Sequence, residues 1–211
     1  MSTTAVPSLA SSARGHLHVR LREGACVALR PLDLGEVEPL LAVFDGLSRK
    51  SRASRYLVGM PRLPSSMVAA LVDVDGHDHV AWLASVAGRP VGLARYVRLS
   101  RETVEVAFEV VDAWQGQGLG AVLLDVITTV AAARGVRRLR ATVHPANTPS
   151  LRLLARIGMR LVADDGLLEG ESPLRLLDPP LVDRRAVVAL AGRRTSRSGD
   201  QNRSASCRSP C

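Results

Sequence analysis

The stretch WQGQGLG, Trp114 to Gly120, sets three glycines at alternate positions directly ahead of the apolar run AVLLDVITTVAAA. Glycine reaches backbone conformations closed to other residues and lets a ligand approach the main chain. A sharp turn that feeds an apolar helix is an anion site in waiting. The first N–H groups of the helix have no intrahelical partner, and the helix dipole favours negative charge there. Dinucleotides, nucleoside triphosphates and coenzyme A all offer phosphates to such a turn, and each demands a different surrounding pattern.

Gly116, Gly118 and Ala121 fit G-x-G-x-x-A, the dinucleotide fingerprint, but the context does not. That fingerprint follows a buried parallel strand and needs an acid at the end of the next one to hold a ribose. Here the preceding TVEVAFEVV alternates and carries two glutamates, and the next strand ends in Val143-His144-Pro145. A nucleoside-triphosphate loop is excluded because no Gly-Lys-Ser/Thr follows the turn.

Around the turn the pattern is mixed. CVALRP reads as a strand, and Asp33 is placed to cap a helix through VEPLLAVFDGL. Pro64 to Val72 reads as a second helix. HVAWLASVAGRPVGLARYVRL reads as an antiparallel hairpin around AGRP, with TVEVAFEVV as a further strand. Alternation puts Val104, Val106, Phe108 and Val110 on one face of that strand, and Glu105, Ala107 and Glu109 on the other. A helix from Leu119 to Arg134 follows, stopped by Gly135. RLRATV is a strand. Thr148 and Pro149 are expected to open the next helix as cap and first turn. Met159 to Ala163 and Pro173 to Leu177 are candidate final strands.

Composition bounds the partners. Of 28 Lys and Arg residues only Lys50 is a lysine, and the net charge is +8. The seven Arg and two Asp from Asp183 to Cys211 supply five of those charges. A uniform arginine bias with a charged tail does not describe a designed phosphate-binding face, so nucleic acid is not expected as a partner. Cys26, Cys207 and Cys211 form no disulfide framework, which points to a reducing, cytoplasmic setting. No apolar run reaches membrane-spanning length, so no membrane partner is expected. His77, Asp78 and His79 sit in a Gly-containing turn and are read as structural, so no metal is expected. Residues 1–16 read as a loose arm, 17–180 as the folded domain, and 181–211 as an Arg/Ser-rich, mostly disordered tail in which AVVALAG can pack as a helix.

The pattern that fits the turn is Gln-x-x-Gly-x-Gly, as Gln115, Gly118 and Gly120, after antiparallel strands. Here the sequence resembles the GNAT acetyltransferase superfamily. Asn147-Thr-Pro-Ser150 followed by Gly158-Met159 is similar to the second motif of that superfamily. FDGLSRKSRASRYL and VEVAFEVVDAWQGQGLG sharpen the likeness, which covers roughly Cys26 to Ala163, to the catalytic domain of bacterial protein lysine acetyltransferases. The larger enzymes of that group carry a regulatory or ligand-binding domain, which a chain of 211 residues is expected to lack. The resemblance implies an α/β (α+β) GNAT fold, with a mixed, largely antiparallel central sheet of about six to seven strands flanked by helices.

The resemblance also implies a reaction: direct acetyl transfer from acetyl-CoA, as co-substrate and without a metal, to an amine, a protein lysine or a small molecule. An alternative is a catalytically silent acyl-CoA-binding module. A lysine ammonium titrates near 10.4, so the site must remove a proton. Glu105, ten positions before Gln115, matches the family's general base. Glu109 is the alternative base, and a solvent-facing role is open for both. The pantetheine arm is expected on Phe108, Glu109 and Val110. The phosphates are expected on Gln115, Gly116, Gln117, Gly118, Leu119 and Gly120, with Asn147 and Ser150 as further contacts. Many of these enzymes have a tyrosine seven residues after the Asn of the second motif; here that position is Leu154. His144, at the end of its strand, is a candidate for the acceptor side or a structural histidine.

Overall fold

The computed structural model describes residues 15–193. One sheet of eight strands runs through it in the order β1-β2-β3-β4-β5-β6-β8-β7. Strand β1 (Leu17–Arg20) precedes β2 (Cys26–Pro31), and three helices follow: α1 (Val37–Asp45), α2 (Arg49–Tyr56) and α3 (Ser65–Val72). The meander β3 (His79–Val86), β4 (Arg89–Arg98) and β5 (Thr103–Val110) leads through the glycine turn into α4 (Leu119–Ala133). The chain then makes β6 (Arg138–Val143), α5 (Thr148–Ala155), β7 (Val162–Asp164) and β8 (Leu167–Pro173). A helix over residues 184–193, here α6, ends the described chain.

The expected hairpin forms between β3 and β4. Ala87 (φ +48°) and Gly88 (φ +78°) make its tip, the left-handed pair that suits the twist of a two-residue hairpin. Every neighbouring pair of strands is antiparallel except β5 and β6. That exception follows from α4, which carries the chain back between them as a crossover helix.

The sheet has an apolar layer on each face. Val104, Val106 and Leu139 join Leu123, Val126, Ile127 and Val130 of α4 in the larger one. Leu83 and Leu93 meet Leu40, Val43 and Val72 of α1 and α3 in the smaller. Residues 181–193 belong to the first layer. Asp125, fully buried in α4, accepts from the backbone N–H of Leu181 (2.6 Å) and Val182 (3.1 Å) and from Arg184 (2.8 Å). Val187 and Ala191 are buried there too. The edge expected at residue 180 therefore falls inside a packed segment. Residues 1–14, most of the expected arm, and residues 194–211, which include Cys207 and Cys211, lie outside the described residues.

Four local expectations are corrected. The sheet has eight strands, not six to seven, because Leu17 and Val19 alternate inward and make β1. The final strands are not Met159–Ala163 and Pro173–Leu177 but a hairpin, β7 and β8, turning through Asp165 (φ +41°) and Gly166 (φ +78°), an Asp-Gly pair suited to such a turn. Asp33 does not cap α1; Glu36 holds that position, and Asp33 donates its N–H to the Glu36 carboxylate. Thr148 is already helical, and Asn147 caps α5 by accepting from the Ser150 N–H at 3.2 Å.

Candidate active site

Strands β5 and β6 pair over only three residues, Thr103–Arg138, Val104–Leu139 and Glu105–Arg140. Beyond Glu105 they part. β5 runs on to Val110 with no partner on that side, while β6 runs on beside β8. The result is a wedge with Glu105 at its closed end and the backbone of Val106 to Val110 along one wall. Glu105 is partly exposed, and its Oε1 accepts a hydrogen bond from Thr142 Oγ1 of β6 at 3.1 Å.

The open end of the wedge continues into a cleft of about 640 Å³. Its walls come from α2 (Lys50, Ser51, Ser54, Arg55), the end of β5 (Phe108, Glu109, Val110), the glycine turn and α5 with its two caps (Asn147, Ser150, Arg152, Arg156). Gly116 (φ +79°) and Gly118 (φ +93°) hold left-handed conformations that other residues resist. The backbone N–H groups of residues 116–120 find no partner among the described residues. Five orphan donors at the N-terminus of a 15-residue helix, with Lys50, Arg152 and Arg156 lining the same cleft, give that end of the cleft the polarity that suits an anion.

Gln115 is exposed but folds back on the chain. Its Nε2 donates to Val110 O (3.0 Å), with Asp112 Oδ1 and Ser51 Oγ within reach, so it braces the turn against β5 and α2. Gln117 likewise donates to Ala113 O. Both amide side chains are tied back to main-chain carbonyls.

Glu109 shares the face of β5 with Glu105, but not its setting. Its side chain is 1% exposed. Oε2 accepts from Tyr56 OH at 2.6 Å, and Oε1 from Arg95 at 3.3 Å, while Arg55 lies 4.0 Å from Oε2. Burial, with the Glu109 carboxylate beside it, pushes the Tyr56 phenol well above its ordinary range, so it stays a donor. Burial also lowers the Arg95 guanidinium, and Glu109 works against that shift. A carboxylate with both oxygens engaged is a tie between α2 and the sheet, poorly placed to accept a substrate proton.

Of the predicted residues, Phe108, Glu109, Val110, Gln115, Gly116, Gly118, Gly120, Asn147 and Ser150 all line the one cleft. Gln117 and Leu119 belong to the same turn, with Leu119 buried under it. Glu105 stands apart from that lining, at the apex of the wedge. Leu154 is 1% exposed and packs in the core. His144 Nδ1 accepts from the Ala146 N–H at 3.1 Å and so shapes the turn into α5. His77 and His79 belong to a turn in which Asp75 accepts three backbone N–H bonds. Sequence reading missed the α2 wall, which lacks apolar periodicity, and Arg152 and Arg156 of α5, whose i, i+4 spacing was a usable signal.

Comparison with known proteins gives this geometry a family. The Acetyltransferase (GNAT) family matches residues 50–159. Acetyltransferase Pat of Mycolicibacterium smegmatis is 29% identical over 176 residues, covering 79% of this chain and 53% of that relative. This chain thus spans about half the length of Pat. Acetyltransferase PA5475 of Pseudomonas aeruginosa is 29% identical over 143 residues, 65% of this chain and 77% of that one. The solved GNAT domain of S. lividans PAT superposes with a TM-score of 0.71 at 30% identity, covering 78% of this chain and 100% of that domain. The family match runs from the first turn of α2 through the glycine turn to the end of the second motif, more than half of the sequence, and the chain belongs to the GNAT acetyltransferase family.

Proposed function

We propose that the protein is an acetyl-CoA-dependent N-acetyltransferase whose acceptor is a protein lysine. The observation that carries this reading is the parting of β5 and β6 directly beyond Glu105. It leaves an unpaired strand edge for the pantetheine arm between an anion-binding turn and a carboxylate. Backbone groups of Phe108, Glu109 and Val110 are the arm's partners. The N–H groups of residues 116–120 take the pyrophosphate. Lys50, Arg152 and Arg156 add charge, and Asn147 and Ser150 shape the far wall.

Glu105 is the general base. It takes a proton from the acceptor ammonium, directly or through water. The freed amine nitrogen then forms its bond to the thioester carbonyl carbon, and the carbon–sulfur bond breaks. The nitrogen gives its second proton to water, and coenzyme A leaves as thiolate. A thiol titrates near 8.5, so departure does not require a tyrosine at the place of Leu154. The Thr142 hydroxyl holds one oxygen of Glu105 and leaves the other for the amine. The resemblance to bacterial protein lysine acetyltransferases supports a protein acceptor.

The test is Glu105→Gln. Acetyl-CoA affinity by calorimetry should be retained, and transfer should fall about 100-fold or more, the scale of general-base catalysis. Labelled acetyl-CoA offered with lysate proteins and with a panel of small amines separates acceptor classes. Label on small amines alone would replace the protein lysine with a small-molecule acceptor. Binding without any transfer would leave an acyl-CoA-binding module.

A further inference from the structure

The chain has one lysine, and it lies in the cleft. Lys50 sits in the first turn of α2, exposed, and its side chain lines the wall facing the glycine turn and α5. Among the described residues no side-chain hydrogen bond or ion pair holds it, whereas Arg52 of the same helix reaches Leu47 O and Pro61 O and Arg55 lies beside Glu109. It is thus an unengaged ammonium of the residue type that the proposed activity modifies.

We propose that Lys50 is a self-acetylation site, modified by a second copy of the chain; this rests on the lysine acetyltransferase reading above. The geometry decides for a second copy. The start of α2 is fixed at the phosphate end of the cleft, because Ser48 donates its N–H to Asp112 Oδ1 (3.2 Å) and Ser51 meets Gln115 (3.4 Å). The strand from Glu105 to Val110 alone is about 16 Å long at roughly 3.3 Å per residue, and Asp112 lies beyond its end. A lysine, with a four-carbon stem, cannot reach from that anchor to the carboxylate in its own molecule. As the exposed first turn of a helix, Lys50 can be presented to another copy's wedge.

The step balances as for any lysine acceptor. Lys50 Nζ gives one proton to Glu105 of the other copy, bonds to the acetyl carbon and gives its second proton to water as the amide forms, while the carbon–sulfur bond breaks and coenzyme A leaves as thiolate. The product has lost a cation at the phosphate end. Acetylation should therefore weaken donor binding several-fold and make the modification self-limiting.

The experiment uses the full chain with labelled acetyl-CoA and no other acceptor, locating label by mass spectrometry after cleavage at arginine. Label is expected on Lys50, with an initial rate that rises as the square of protein concentration, and it should vanish from that position in Lys50→Arg. A tagged Glu105→Gln chain should take no label alone, but should acquire it on Lys50 when untagged wild type is added. Label on Lys50 of Glu105→Gln alone at the wild-type rate would show uncatalysed acetylation and overturn the proposal, as would a rate of first order in protein. A lysine peptide in a parallel incubation separates the two readings. If the peptide is labelled and Lys50 is not, self-acetylation falls and the acetyltransferase reading stands. If neither is labelled, both fall.

Discussion

Helices α4 and α2 are both walls of one cleft, built from opposite materials. Of the 15 residues of α4, 12 are buried, and both its length and its position were plain in the apolar run after the glycines. No residue of the eight in α2 is buried, and four of them are Arg or Lys. Packing holds α4. Directional bonds hold α2: the Ser48 cap, the Ser48–Asp112 and Ser51–Gln115 contacts, Arg52 over the Phe44 ring, and the Tyr56–Glu109 bond into the sheet. The glycine turn thus rests on a helix that cannot move without opening the core. The facing wall of the cleft rests on a helix that can be loosened one bond at a time.

The largest expected effect lies on the α4 side. Asp125→Ala strips a buried carboxylate from the half-buried Arg184 and from two backbone donors, and should cost about 3 kcal/mol of unfolding free energy, the low end of the scale for breaking a buried ion pair. Denaturant midpoints measure it. A loss below about 1 kcal/mol would mean that residues 181–193 are not integral to the fold and that the domain ends near residue 180.

Tyr56→Phe should do less to stability and more to the site. It removes one hydrogen bond to a buried carboxylate, worth about 1.5–3 kcal/mol. Because the bond ties α2 to β5, two walls of the one cleft, acetyl-CoA affinity should fall several-fold. A cost equal to that of Asp125→Ala would make α2 part of the scaffold and erase the contrast between the helices.

Ser48→Ala removes the α2 cap and should cost about 1 kcal/mol. Thermal unfolding checks it, and amide exchange should quicken in α2 while α4 is unchanged. Protection lost equally from both would show one cooperative unit.

The smallest effect is a response to acid. Partial burial pushes the Asp112 carboxyl up, but hydrogen bonds from Ser48 and Ser51 outweigh it and hold the group below the ordinary carboxylate value. A lowered folded-state value means that the contribution is fully present above the unfolded value, about 3.9, and is lost as pH falls through the lower folded one. Exchange in the first turn of α2 should therefore rise below about pH 4. Asp112→Asn should remove that pH dependence.

Local rules determined much of this protein from the sequence alone. Alternation gave the β3–β4–β5 meander, the glycines gave the turn, and the apolar run gave α4. Each signal is carried by residues adjacent in the chain and by one dominant energy, apolar burial or backbone sterics. The α2 helix escaped because nothing in RKSRASRY alternates or faces a core, and the Asp-Gly hairpin of β7 and β8 because its strands are short and mostly polar. The contrast between the two glutamates was decided only in three dimensions. On β5 they are two residues of one face, alike in type and period. Arg95 from β4 and Tyr56 from α2 close over one of them, while β6 parts from the strand beside the other. Burial and ion pairing depend on which distant segments arrive, and no spacing within the strand records that.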